Sequence, residues 1–204
     1  MQLVTTKQNG VFVSIEGIDG SGKTTQARRL VKTLTKKGYD AVYTTEPSEG
    51  TFGRIIRKHI LQGNNRVPTT VEAVFFAADR IDHIQNEIKP LLKSGKIVIC
   101  DRYVYSSIAY QGASNLNLEW IKEINKHAIK PDLAIYIDVS PEIVIDRIKR
   151  RKSVMETLQI QKNVRKLYLD LVGEKQLVMV YGNTSKREVA RAIETIVFKF
   201  LEKH

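Results

Sequence analysis

Apolar residues gather in five short, almost unbroken runs: Val11–Ile15, Ala41–Thr44, Ile97–Cys100, Leu133–Asp138 and Leu177–Val180. Runs this short, with little polar alternation, predict strands buried on both faces. The segments between them are amphipathic and of helical length, so the alternation predicts a parallel sheet covered by helices on both sides. Local signals mark the helix ends. Thr25–Val31 reads as a helix closed by Lys37-Gly38. Thr69-Thr70-Val71-Glu72 predicts a helix start with Thr69 as cap and Glu72 at the capping-box position. That helix would run to about Lys93, with Pro90 a kink or break. Ser140-Pro141-Glu142 places proline at a first helical position. With no internal repeat, low-complexity tract or linker, the 204 residues read as a single α/β domain, residues 1–10 forming a loose polar arm.

Ligands of such sheets bind beyond the carboxyl ends of the strands. Five places then draw together: the loop after Ile15, Glu46-Pro47, Asp101-Arg102, the segment after Asp138, and Gly182-Asn183. The first carries the strongest pattern, Gly17-Ile18-Asp19-Gly20-Ser21-Gly22-Lys23-Thr24, a glycine, four residues and Gly-Lys-Thr between a strand and a helix. Glycines let successive backbone N–H groups turn inward to cradle phosphates. Lys23 would reach the β- and γ-phosphates and the Thr24 hydroxyl would hold Mg²⁺. The plain alternative is a glycine-rich turn without a ligand.

Composition narrows the classes. No segment is long and apolar enough to span a bilayer, and Cys100 is the only cysteine, which suits a reducing cytoplasm. The net charge of +11 admits a polyanionic small molecule, nucleic acid, or a lysine-rich solvated surface. The basic residues are spread along helices, and aromatics, at 7%, do not interleave with the densest cluster, Arg147–Lys152. That footprint makes nucleic acid an unlikely ligand.

Asp101 ends an apolar strand, where a phosphate-loop protein keeps its Mg²⁺-organising acid; the bland reading is a helix cap. Arg102, next to it, can grip a phosphate with two parallel N–H donors. Phe75-Phe76 and Arg80 sit on the long helix. One phenylalanine would be core and the other could lie on a planar base, with Arg80 four residues beyond Phe76 on the same face. The alternative is a core phenylalanine and a surface arginine.

Together these residues resemble the thymidylate kinase family, which transfers a phosphoryl group from ATP to dTMP. The similarity rests on Glu16–Gln26, Glu46-Pro47, Phe76–Arg80, Asp101–Gly112, Pro131–Leu133 and Asp138–Glu142, in order from about Phe12 to the C-terminus. The Asp101–Gly112 block is its most specific part. The resemblance implies a three-layer P-loop NTPase-like fold with a mobile lid at about 147–157, working as a homodimer that uses the long helix near Phe75. It further implies a donor site of Gly17–Thr24 with Thr25, with Arg147 over the adenine, and Mg²⁺ held by Thr24 and Asp101. Phe76 would stack on thymine, Arg80 would contact the nucleotide, and Arg102 would bind its phosphate. Asp19 would orient the acceptor near its 3′-hydroxyl. Glu46, Ser106 and Ser107 would lie beside the nucleotide, Tyr110 would crowd the ribose 2′ position, and Gln161 would approach the acceptor. The phosphate loop holds no arginine, so Arg150 or Arg151 on the lid would supply the missing cation at the γ-phosphate.

Three places depart from the family pattern. Thr45 precedes Glu46-Pro47 and Ser48-Glu49-Gly50 follows it, leaving Arg54 and Arg57 as the nearest bases. Ser153-Val154-Met155-Glu156 stands where many relatives carry Asp-Arg-Phe-Glu, and Ser107 occupies a position that others fill with different small or amide residues. Rival readings are a P-loop kinase for another acceptor, a non-catalytic homologue, a nucleic-acid-binding module, and a GTPase. The last would want Asn-Lys-x-Asp, and Asn125-Lys126-His127-Ala128 lacks the final acid.

Overall fold

The computed structural model describes residues 10–61, 67–148 and 158–203, with the side chains of 145–148 left out. Five strands, β1 (Val11–Glu16), β2 (Ala41–Thr45), β3 (Ile97–Asp101), β4 (Leu133–Asp138) and β5 (Val178–Tyr181), form one sheet in the order β2-β3-β1-β4-β5. Every pairing is parallel, with Val13 opposite Ile99 and Leu133, Tyr43 opposite Ile99, and Ile137 opposite Val180. The three central strands are buried almost throughout, as their continuous apolar runs predict, while the edge strands β2 and β5 are not. Side chains alternate between the faces. Val13, Ile15, Ile97 and Ile99 share a cluster with Ala27, Leu30 and Leu34 of α1 (Lys23–Lys36), whereas Phe12, Val98 and Cys100 pack with Ile84, Ile88 and Tyr103. Further helices are α2 (Thr51–Ile55), α3 (Thr69–His83), α4 (Lys89–Lys93), α5 (Val104–Ala113), α6 (Leu118–Ile124), α7 (Pro141–Ile148), α8 (Leu158–Gly173) and α9 (Lys186–Leu201). This is the three-layer α/β architecture expected from the sequence.

The long helix is continuous from Thr69 to Lys93, but its Ile84–Ile88 turn widens to π geometry just before Pro90. Proline has no N–H and its ring crowds the carbonyl four residues back, so a widened turn is one way for a helix to pass it. Two local expectations fail. Thr69 is not the cap: Pro68 occupies that position, and no side chain caps the helix. Neither phenylalanine is core; Phe75 and Phe76 are both half-buried and belong to neither apolar cluster. By contrast, Gly38 (φ 90°) closes α1, with Tyr39 N–H donating to Leu34 O, and Pro141 opens α7. No helix among the described residues is long and apolar enough to cross a membrane.

Candidate functional site

The order β3-β1-β4 puts the β1 carboxyl end at the reversal of strand order, where open parallel sheets form a crevice. The loop there is shaped by glycine. Gly20 (φ 74°) and Gly22 (φ 96°) are left-handed, and a Cβ on Gly17 would stand 2.6 Å from Ser21 Oγ and 2.9 Å from Ile137 O. The loop runs into α1 at Lys23, whose N-terminus has no side-chain cap and no acidic residue in its first turn. Its free N–H groups and positive dipole end make an anion site. Ile18 is buried, and Lys23 donates from Nζ to Ile18 O at 2.8 Å. Burial and the nearby Arg102 cation push the Lys23 ammonium down to about 8, against the opposing pull of Asp19 and Asp101. Thr24 and Thr25 are exposed at the mouth of the loop.

Thr24 donates its hydroxyl to Asp101 Oδ2, and Tyr43 OH approaches the same oxygen at 3.4 Å. Asp101 Oδ1 is buried with no hydrogen-bond partner. A hydroxyl beside an orphaned carboxylate oxygen suits Mg²⁺, which takes one or two protein oxygens and completes its shell with phosphates and water. Among the described residues no group of three His, Cys, Asp or Glu side chains forms a protein cage for a metal.

Arg102 follows Asp101 with φ 71°, a left-handed conformation costing a non-glycine residue about 1–2 kcal/mol. Its N–H donates to Ile15 O at 3.0 Å, crossing the β1 carboxyl end, and the turn sends the side chain back over the phosphate loop. The guanidinium donates to Gly17 O and Ser106 Oγ (both 3.2 Å), to Asp19 Oδ1 and to Tyr110 OH (3.4 Å), and lies 5.1 Å from the Tyr110 ring centre. Burial raises the Asp19 carboxyl, but the Arg102 and Lys23 cations outweigh it and hold the group below its usual range. Ser106 connects Arg102 to a buried acid. It donates to Glu16 Oε2 at 2.7 Å and lies 2.9 Å from Tyr168 OH, which in turn stacks on Tyr136 with ring centres 4.7 Å apart. Burial raises the Glu16 carboxyl.

A second buried cluster lies beside this one. Glu46 N–H donates to Asp101 O (3.1 Å), tying the loop after β2 to the end of β3. Arg80, expected on the surface if not functional, is only 2% exposed. It donates to Glu46 Oε2 (2.6 Å), Ser107 Oγ (3.1 Å) and Asn125 Oδ1, and lies 5.3 Å from the Tyr103 ring centre. Asn125 donates from Nδ2 to Ile121 O, which fixes its amide with the oxygen facing Arg80. Asp79 accepts from the Ser48 N–H and hydroxyl at 2.8 and 2.6 Å. Of the two bases near this loop, Arg57 engages it more fully: it donates to Pro47 O and Ser48 O and pairs with Glu49 at 2.9 Å, while Arg54 donates to Glu49 O.

The structure thus brings together Asp19, Lys23, Thr24, Asp101, Arg102, Ser106 and Tyr110 around one crevice, and Glu46, Arg80 and Ser107 beside it. Phe76 stands half-buried one turn before Arg80, and Gln161 is buried on α8. Arg147 belongs to α7 but its side chain, with Arg150 and Arg151, lies outside the described residues, as does residues 1–9 of the expected arm. Sequence reasoning missed His83, Asn125, Tyr168 and the Arg165–Asp138 pair, whose two hydrogen bonds measure 2.7 and 2.8 Å. His83, three residues beyond Arg80 on one helix, offered a spacing signal; the others depend on distant contacts.

The family model described as thymidylate kinase matches residues 15–193. A probable thymidylate kinase of Pyrococcus abyssi is 44% identical over 196 residues, covering 92% of this chain and 96% of the relative. Relatives of the same description from Thermococcus gammatolerans (45% over 199 residues, 92% and 96%) and Staphylothermus marinus (43% over 202 residues, 96% and 98%) are similar along comparable lengths.

Proposed function

The chain belongs to the thymidylate kinase family, and from that premise we propose that it transfers the γ-phosphoryl group of ATP to dTMP, giving dTDP and ADP. The observation that carries this reading is Arg102: a guanidinium held directly after the strand-ending acid, in a strained backbone conformation that aims it over the phosphate loop. A triphosphate site alone has no use for that cation, whereas a second phosphate brought up to the first does.

In the reaction a bond forms between an acceptor phosphate oxygen and the γ-phosphorus, and the bond from that phosphorus to the β,γ-bridging oxygen breaks. The acceptor is already ionised, so no strong general base is required, and the protein supplies position and charge. The loop N–H groups and Lys23 hold the donor; Lys23 gives up Ile18 O for a phosphate oxygen. Arg102 exchanges some of its present acceptors for the acceptor phosphate, with Asp19, Gly17 O and Tyr110 keeping its fork in register. Asp19 thereby orients both Arg102 and the acceptor. Phe76 offers a ring for the base, Arg80 and Ser107 polar atoms for its edge, and Glu46 acts on the nucleotide by holding Arg80. Tyr110 restricts the sugar, and Gln161 lies toward the acceptor. Thr24 and Asp101 would hold Mg²⁺, which would supply positive charge for the transferred phosphate oxygens.

The lid at about 147–157 would add Arg147 at the adenine and Arg150 or Arg151 at the γ-phosphate, completing a single cytoplasmic kinase domain. A homodimer is supported by α3, where Val71, Val74, Ala78 and Ile81 form an apolar stripe with Val74 51% exposed. The test is ADP release from ATP with dTMP, dUMP, dGMP or dCMP as acceptor. Preference for dTMP is expected; equal or better turnover of another acceptor would reassign the substrate, and DNA binding without phosphotransfer would reject the enzyme.

A further inference from the structure

His83 is completely buried, yet both of its ring nitrogens face polar or charged groups. Its Nδ1 faces Glu46 Oε1 at 3.3 Å, and its Nε2 faces Thr44 Oγ1 at 2.7 Å and Glu87 Oε2 at 3.6 Å. Thr44 hydrogen-bonds Glu87 in turn. Glu46 therefore lies between two bases, with Oε2 on Arg80 and Oε1 on His83, both within a single turn of α3. From β2 and its following loop, Thr44 and Glu46 face the ring; from the long helix, Glu87 does, with Arg80 across Glu46 and the Asp79 charge one turn before, held by Ser48. Glu46 and Glu87 present carboxylate oxygens to the two ring nitrogens, an arrangement that favours the protonated imidazole. Burial opposes that proton, but Glu46 and Glu87 prevail and raise the group to about 9.

We propose that His83 is a positioning residue of the acceptor subsite: as an imidazolium it is the second cation on Glu46, and this fixes the carboxylate on which Arg80 is braced. The geometry explains why the role is specific to the acceptor. Glu46 also donates its N–H to Asp101 O, so the clamp sets the loop after β2 against the end of β3; its side-chain hydrogen bonds run to Arg80, Ser107, Asn125 and Thr44, and it meets the donor side through that one backbone contact. With His83 uncharged, its Nδ1–H can still donate to Glu46 Oε1 but without the charge, so the carboxylate, and with it the Arg80 fork that Asn125 and Ser107 also hold, is held less firmly.

This assignment rests on the proposed activity, so dTMP-dependent ADP release by the wild type is measured first; its absence overturns that activity and this assignment with it. KM for dTMP and for ATP are then determined for wild type and His83→Gln from pH 7 to 10. The loss of one charge-assisted contact is expected to raise KM for dTMP about tenfold at neutral pH, with KM for ATP unchanged. The ratio of the two dTMP KM values should fall toward one as pH rises past about 9, because the wild type then loses its proton as well. Taking the ratio cancels the titration of Lys23 and of the thymine ring, which both proteins share. Glu87→Gln, at the solvent edge of the cluster, should fold even where His83→Gln does not. By removing the outer anion it should move the rise in wild-type-like KM for dTMP to lower pH. An unchanged KM for dTMP in His83→Gln, a ratio constant with pH, or an unmoved profile in Glu87→Gln would overturn the assignment while leaving the activity standing.

Discussion

Arg102 ties backbone strain to the acceptor phosphate, and three substitutions separate the two. At φ 71° a side chain costs about 1–2 kcal/mol that glycine does not. Arg102→Ala and Arg102→Gly both remove the guanidinium and its ion pair with Asp19, so comparing the two isolates the backbone. Arg102→Gly should be the more stable by about 1 kcal/mol, less some unfolded-state entropy of glycine. In turnover they should be equally poor. A two-pronged charge-assisted contact to phosphate is worth about 3–6 kcal/mol at 1.5–3 per bond, which predicts a loss of roughly a hundredfold to ten-thousandfold in kcat/KM for dTMP. Arg102→Lys keeps the charge but cannot reach Gly17 O, Ser106 and Asp19 together, so its loss should fall in between. Urea unfolding at pH 7 and steady-state kinetics with each substrate varied would measure both halves. Alanine as stable as glycine would show that the left-handed turn stores no strain. A loss in Arg102→Ala confined to KM for ATP would place the guanidinium on the donor instead.

Nucleotide binding should move protons through Lys23. Its ammonium, held down to about 8, gains an anion when phosphate arrives and its affinity for the proton rises, so ADP binding at about pH 8.5 should take protons up. Calorimetry in buffers of different ionisation enthalpy reads this directly; a signal independent of buffer, or one that persists in Lys23→Met, would contradict it. Asn125→Ala leaves a buried Arg80 donor without its acceptor and should cost about 1–3 kcal/mol in denaturant unfolding while raising KM for dTMP; a stability unchanged from wild type would sink the bracing role. Val74→Lys places a charge in the apolar stripe of α3 and should turn a dimer into a monomer in sedimentation, whereas an unaltered mass would put the subunit contact elsewhere.

Much of the donor half could be read from the chain, because it is built from neighbours in sequence. A strand, a glycine turn, Lys23 and Thr24 occupy fourteen consecutive residues, Val11 to Thr24, and the positive φ values of Gly20 and Gly22 are what that spacing requires. The strands were legible for a related reason: in a parallel sheet covered on both faces the central strands are apolar throughout, and the pattern marks them without ambiguity. Local rules failed at two places, one decided by the adjacent residue and one by the fold. Thr69 follows a proline that takes the cap position, and Phe75 and Phe76 lie on a helix face the core does not claim. The acceptor half was readable in part: Arg102, Phe76 and Arg80 stood out by residue type and spacing, but the rest came only through resemblance, since the contacts join Glu46, Arg80, Ser107 and Asn125 from four separate segments.

The chain by itself determined the sheet, the phosphate loop and the identity of the charged groups, because these depend on residue type and on spacing within one or two elements. Which charges meet was decided by the tertiary structure alone. Helical spacing put Arg80 on the Phe76 face or at the surface but did not reveal that it is sealed against Glu46, and His83 carries no motif but becomes the second cation on the same carboxylate. Burial and charge pairing are properties of what the fold places within a few ångströms, and no window along the sequence contains that distance.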